Sequence, residues 1–354
     1  MSDRATWKLR GAVRALRQEF AEWDPLAGAW KAPRTISTIT FRRDGQVSES
    51  EFQNPDGSVA RSFRLFDDAG RVVEEQWSTR EVRTTVAIYA YDALGRLASK
   101  ASVSPEGSRR DDERYEYDEA GRRTKTIFLP AAAAPAGGDG VCMHYAIEGS
   151  EQSHSVPGAA TLTVAYDDRE LPAEAGFHDA SGQLLRRILF SRDRDGRLLS
   201  ESVQFSGDSP FPDLPLDAGK IPPEERARLA TAMKAAFVNQ VLSSTEYRYD
   251  ASGRLVERTS RMGTLSEDTT TYEYAAHEHP IGQTSRSSSH GVDADEDGTV
   301  LTGDDETTIH HNRFDHQFDA SGNWTERVCS WRVHLEPVFN RSNIERRTIT
   351  YYDP

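Results

Sequence analysis

Along most of the chain apolar and polar residues alternate with a period of two, and the alternation is cut at short intervals by Asp, Asn, Ser and Gly. The stretch from Tyr247 to Arg258, Tyr-Arg-Tyr-Asp-Ala-Ser-Gly-Arg-Leu-Val-Glu-Arg, shows the unit in full. Tyr247 and Tyr249 lie two apart and share one face of a strand. Asp250 and Gly253 fit the first and last positions of a type I turn, and Leu255 begins the return strand. Asp250 can hydrogen-bond the backbone two residues on, and Gly253 can take a positive φ without a Cβ penalty, so the chain reverses in four residues. The pattern predicts a strand, a tight turn and a second strand.

The unit recurs. Turn glycines fall at Gly45, Gly57, Gly70, Gly95, Gly107 and Gly121, one every 12 to 14 residues, with Gly70 to Gly95 equal to two intervals. The Asp-x-x-Gly form appears at Asp67, Asp92, Asp118, Asp179, Asp193, Asp250 and Asp319. Self-similarity at a fixed period is the mark of a repeat architecture. Aromatic pairs at alternate positions, Tyr89 with Tyr91, Tyr115 with Tyr117 and Tyr247 with Tyr249, precede the turns, and Tyr272 with Tyr274 repeats the spacing without one. On neighbouring strands such pairs form ladders on one face.

Three segments depart from the period. Leu9, Val13, Leu16 and Phe20 have helical spacing, yet an array of hairpins commonly begins with an extended segment; residues 1–34 read as a lead-in, with a strand favoured by that context. Within the sheet domain of residues 35–354, the first insertion, 129–158, has an Ala-rich and Gly-rich run followed by a short strand near Met143 to Ile147. The second, 206–240, passes through prolines into Pro222-Pro223-Glu224-Glu225 and then Leu229, Met233, Ala236 and Phe237 on one face, which predicts a helix near 222–238. Its expected place is over the aromatic face or a sheet edge.

Hydrophobic residues make up 36% of the chain and charged ones 28%, which suits strands with one buried and one wet face rather than a thick two-sided core. The net charge of −14 opposes binding to phosphate backbones, so nucleic acid is not an expected partner. The first residues lack the apolar run of a secretory signal, and no stretch approaches the ~20 apolar residues of a membrane span. The expectation is a cytoplasmic protein without membrane insertion, with export by a route lacking a cleaved signal as the alternative. Only Cys142 and Cys329 are present, which excludes a disulfide framework and makes two reduced thiols the expectation, with a single long-range bridge as the alternative.

Tyr91-Asp-Ala-Leu-Gly-Arg-Leu97 and Tyr249-Asp-Ala-Ser-Gly-Arg-Leu255, with Tyr117-Asp-Glu-Ala-Gly-Arg-Arg123, resemble the YD repeat of RHS-repeat proteins. The resemblance spans roughly residues 35 to 330, and Phe318-Asp-Ala-Ser-Gly-Asn-Trp324 is a variant with Asn-Trp in place of Arg-Leu. It implies long β-sheets that form shells around toxin domains or carbohydrate-interacting surface modules, hence scaffold or binding work. The repeats number fewer than a full shell takes, and the chain stops at Tyr351-Tyr-Asp-Pro354 where the family's self-cleaving motif runs on, so a carried toxin and its release chemistry are not expected. The expected fold is all-β: an extended antiparallel meander of YD-repeat hairpins forming a long, open, twisted or partly curled sheet, with the one inserted helix.

Two clusters bear on chemistry. Asp293, Asp295 and Asp297 occupy positions 1, 3 and 5 of a calcium loop, Gly298 position 6, Thr299 position 7 and Asp304 position 12, so Ca²⁺ is the expected cofactor if any; the bland alternative is an acidic hairpin tip. The flanks do not read as helices, and Asp304 stands where a bidentate Glu is usual. Histidines at 277, 279, 310, 311 and 316 raise a metal-dependent hydrolase centred on residues 277–316, against exposed strand histidines as the alternative. No nucleophile elbow, P-loop or dinucleotide fingerprint occurs. The expected function is therefore a noncatalytic binding scaffold for a protein or carbohydrate partner.

Overall fold

The computed structural model describes every residue except 1–2, 81, 130–143, 147–149, 151–152, 157, 206–240, 264–265, 295–299 and 354, and at 83, 144–146, 153, 155, 242, 290–294 and 300–306 it describes the backbone alone. Among the described residues helix is confined to Asp3–Thr6, and no helix is long and apolar enough to cross a membrane. The helix expected near 222–238 lies outside the described residues.

The Asp-x-x-Gly turns form as the local chemistry dictates. In each, the glycine N–H donates to the aspartate carbonyl, as from Gly70 to Asp67 and from Gly253 to Asp250, both at 2.9 Å. The aspartate N–H in turn donates to the carbonyl four residues on, from Asp67 to Arg71 at 2.9 Å and from Asp250 to Arg254 at 2.9 Å. Gly70, Gly95 and Gly253 have φ between 77° and 79°, the left-handed region. A type I turn closed by a left-handed residue is the three-residue hairpin loop with a bulge, and the strand register shifts at that point, as between Arg248 and Tyr249. Glu170 fills the glycine's place in the turn from Asp167, at φ 63°.

The chain forms two compact units, residues 1–112, 273–283 and 310–354, and residues 113–272 and 284–309. In the first, antiparallel pairing runs from Arg34–Phe41 through Val47–Gln53, Val59–Phe66 and Val72–Thr79 to Val82–Tyr91 and Leu97–Val103. Val13–Asp24 is a strand, as its context suggested, and it pairs on one side with Arg34–Phe41 and on the other with the last strand, Asn340–Tyr351. That strand continues the pairing to Trp324–Val333 and Val300–Phe318. A core of Leu9, Val13, Leu16, Ile39, Phe41 and Val47 sits where Val13–Asp24 and Val47–Gln53 begin and Arg34–Phe41 ends.

In the second unit the meander runs through Arg123–Phe128, Thr161–Tyr166, Pro172–His178, Leu184–Arg192, Leu198–Phe205, Val241–Tyr249, Leu255–Met262 and Ser266–Tyr274. Its core gathers Phe128, Leu162, Phe177, Ile188, Val203 and Phe205, with Val156 contributed by the first insertion. Fully burying a side chain such as Phe177 is worth ~1.5–3 kcal/mol. Within that insertion His144–Ala146 and Ser153–Ser155 form a separate short hairpin.

Both ladders belong to one 21-stranded antiparallel sheet. Because Val13–Asp24 is flanked by Arg34–Phe41 and by Asn340–Tyr351, that sheet has no first or last member. It is a closed, twenty-strand antiparallel β-barrel in its pairing, with the two-residue Ala29–Trp30 attached to Val13–Asp24 alone. The expectation of an open, partly curled sheet is therefore corrected. Closure pairs residues more than 300 positions apart, such as Leu16 with Ile349, and satisfies the backbone groups that an edge would expose.

Candidate functional site

The repeat signature is consumed by structure. The aspartate Oδ1 accepts the N–H four residues on, from Arg96 to Asp92 at 2.9 Å and from Arg254 to Asp250 at 2.9 Å, while the arginine Nε donates to Oδ2 at 2.8 Å in both. Arginines at the equivalent position of other turns reach across to the next turn. Arg71 lies over the Tyr91 ring, 4.5 Å from its centroid, and Arg197 over Tyr249 at 5.3 Å. Each tyrosine hydroxyl donates to the carbonyl of the residue after that arginine, Tyr91 to Val72 at 2.7 Å and Tyr249 to Leu198 at 3.0 Å. Tyr166 does the same with Arg123 at 2.8 Å, under Arg122. At the closing seam Tyr352 donates to the Phe41 carbonyl and lies under Arg43, a related contact in which the carbonyl precedes the arginine instead of following it.

The variant turn from Asp319 has another task. Asn323 accepts from the Arg10 N–H at 2.7 Å and donates to the Arg10 carbonyl at 2.9 Å, which seats the lead-in against the turn. Tyr351 donates to the Asp319 carboxylate, and burial together with that carboxylate pushes its hydroxyl above the ordinary phenol range.

Three of the histidines singled out by sequence meet. His277 and Phe318 have ring centroids 4.5 Å apart, His279 and His316 5.8 Å, and His316 and Phe318 5.8 Å. The gathering follows from strand periodicity, since Phe314, His316 and Phe318 share one face of Val300–Phe318. Arg327, bound to Glu345 at 2.7 and 2.8 Å, and Arg347, 3.6 Å from the Trp324 centroid, supply positive charge on the same face. Burial and Arg327 push His316 down to about 4, and burial with Lys8 and Arg347 lowers His279. Burial likewise brings Arg347 down to about 10. The His279 and His316 rings stack with Phe318. His310 stands six residues up the strand from His316, about 20 Å at the strand rise, and among the described residues no three His, Cys, Asp or Glu side chains are placed to hold a metal.

Of the calcium-loop residues, Asp295, Asp297 and Thr299 lie outside the described residues. Asp293 and Asp304 belong to the backbone of Pro280–Ala294 and Val300–Phe318, so the flanks are strands. Cys329 is a free thiol that burial pushes up to about 11, out of the nucleophilic range.

Two sites escaped the sequence. In the second unit Glu201, 1% exposed, meets His154 Nε2 at 2.7 Å and accepts from Ser150 Oγ at 2.8 Å, both from the first insertion. Glu201 shares its strand face with Val203 and Phe205 by alternation, which marks it as a polar residue on a core face, but its partner lies 47 residues away. In the first unit Phe20, Trp23, Pro25, Trp331, Asn340 and Arg341 line a cavity of about 530 Å³ with Glu22 and Ser342. Trp23 and Trp30 pack edge to face at 4.9 Å, and the Arg341 guanidinium lies over both, 4.9 and 6.0 Å from their centroids. Trp331, 40% exposed, presents an indole to the same cavity. These tryptophans sit on three different strands, and no local pattern joins them.

The family model for the RHS repeat matches residues 91–127. No curated protein matches the chain. Among solved structures the chain is similar to a porin-like protein from Bacteroides uniformis, at 11% identity over 97% of this chain and 99% of that one, with a TM-score of 0.33. It is also similar to a chain of TcdB2-TccC3-TEV, at 13% identity over 93% of this chain but 19% of the other, with a TM-score of 0.24. At such scores the fold rests on the strand pairing alone.

Proposed function

From the match of residues 91–127 to the RHS repeat, we propose that this chain is a noncatalytic RHS-repeat β-scaffold that binds a protein or carbohydrate partner. The repeat residues support the scaffold half of the reading. Aspartate, arginine and tyrosine of the Tyr-Asp-x-x-Gly-Arg unit spend their polar groups on one another and on backbone, as in Asp92, Arg96 and Tyr91, and so brace successive turns.

The observation that carries the binding half is the cavity of Phe20, Trp23, Trp331 and Arg341. Concave sites that join aromatic surface to a few convergent polar groups are where ligands are held. The test is surface plasmon resonance of the immobilised full chain against a glycan panel and purified protein analytes, with chemical analysis of the recovered ligand. Saturable binding that returns the ligand unaltered is the expected result. No saturable binding by any analyte, or a ligand recovered cleaved, overturns the proposal.

A further inference from the structure

The Arg341 guanidinium rests on two indole faces, and among the described residues no carboxylate is paired with it. Its neighbours in the cavity divide into two kinds. Phe20, Trp23 and Trp331 offer aromatic surface, and Asn340, Ser342 and Glu22 offer hydrogen-bonding groups, with Glu22 already held by Lys31 at 2.8 Å. A ligand that fits must therefore have an apolar face to lie on an indole, a rim of hydroxyls, and a negative charge for Arg341.

A cationic guest is disfavoured because Arg341 already takes the cation's place over Trp23 and Trp30. A flat apolar guest would leave the guanidinium without a hydrogen-bond partner, a cost that grows as the cavity is closed off from water. A pyranose ring presents C–H groups on one face and hydroxyls at its edge, and a uronic acid adds a carboxylate whose planar oxygens match the guanidinium fork. The cavity, about 530 Å³, lies within the range of small-ligand sites.

We propose that the cavity between Trp23, Trp331 and Arg341 is a subsite for a uronate-containing saccharide, with the sugar ring on the Trp331 indole and the carboxylate on Arg341. This rests on the binding reading given above and deepens it.

The test is isothermal titration of the full chain with a uronic-acid trisaccharide and with the neutral trisaccharide of the same linkage, followed in parallel by tryptophan fluorescence. The uronate ligand should bind at least tenfold more tightly than the neutral one, and high salt should narrow the gap. Arg341→Ala should remove the discrimination, Arg341→Lys should restore part of it, and Trp331→Ala should weaken both ligands. Trp331→Phe, which keeps a ring, should retain most of the affinity and guards against a folding defect in the alanine variant. Equal affinity for the two sugars, uronate binding indifferent to both substitutions, or no binding of either overturns the assignment. A neutral glycan or a protein bound elsewhere on the chain would leave the scaffold reading standing, so the two failures are distinguishable.

Discussion

Tyr91 donates a 2.7 Å hydrogen bond to the carbonyl of Val72 while the guanidinium of Arg71 covers its ring at 4.5 Å. One residue of a repeat thus clamps the turn before it through two contacts. Tyr91→Phe should cost ~1 kcal/mol from the lost hydrogen bond, and Arg71→Ala ~0.5–1 kcal/mol from the lost ring contact, with a further loss from the Asp67 pair. Because both contacts share Tyr91, a double-mutant cycle by urea denaturation should show coupling between the two sites. Strict additivity would contradict the staple.

The turn aspartates set an acid limb of stability. The backbone N–H groups of Arg96, Arg122 and Arg254 lead in holding Asp92, Asp118 and Asp250 below the ordinary carboxylate value of 3.8. A folded-state value below the unfolded one contributes stability that is fully present above 3.8 and is lost as pH falls through the folded value. Denaturation midpoints should therefore drop steeply below pH 3.8, and replacing Asp92, Asp118 and Asp250 together by Asn should flatten that limb.

The histidine cluster acts in a different window. His316 is held down to about 4 from 6.5 because burial and Arg327 disfavour its charged form. Between those two values the unfolded chain binds the proton and the folded chain does not, so stability falls as pH goes from 6.5 towards 4. The thermal midpoint should decline across this range in the parent, and His316→Phe should remove part of the decline.

Gly57 separates conformational cost from crowding. Its φ is +80° and an added Cβ would meet nothing within 4 Å. Gly57→Ala should then cost ~1–2 kcal/mol purely from the left-handed backbone, and Gly57→Asn distinctly less, as measured by urea denaturation. Gly176 is the converse: its φ is not positive, but a Cβ would lie 2.9 Å from His178 Nε2 and 3.1 Å from Thr163 Oγ1, so Ala and Asn should both destabilise there.

The buried contact of Glu201 with His154 should reveal itself by asymmetry. His154→Ala strips one partner from a carboxylate whose Oε2 already has none among the described residues, and should cost ~1–3 kcal/mol. Replacing both residues by Leu should cost less than the single change, because no carboxylate short of partners is then left buried there. The check is the difference in denaturation free energy between the single and double variants.

How much of this was legible in the chain follows from the range of each force. Strands, turns and their spacing are local: Asp250 and Gly253 specify a reversal through contacts within five residues, and alternation places Phe314, His316 and Phe318 on one face wherever that strand goes. The repeat signature was equally readable, since it is written in consecutive residues from Tyr91 to Leu97. What lay beyond reach was every pairing across the fold. Nothing in Leu16 or Ile349 marks them as neighbours, so whether the sheet stayed open or closed was undetermined until Val13–Asp24 took its place between Arg34–Phe41 and Asn340–Tyr351. The cavity of Trp23, Trp331 and Arg341 and the contact of His154 with Glu201 have the same origin. They are made by strands that meet only once the ladder is complete, whereas a period-two pattern specifies which face a side chain takes and not what stands opposite it.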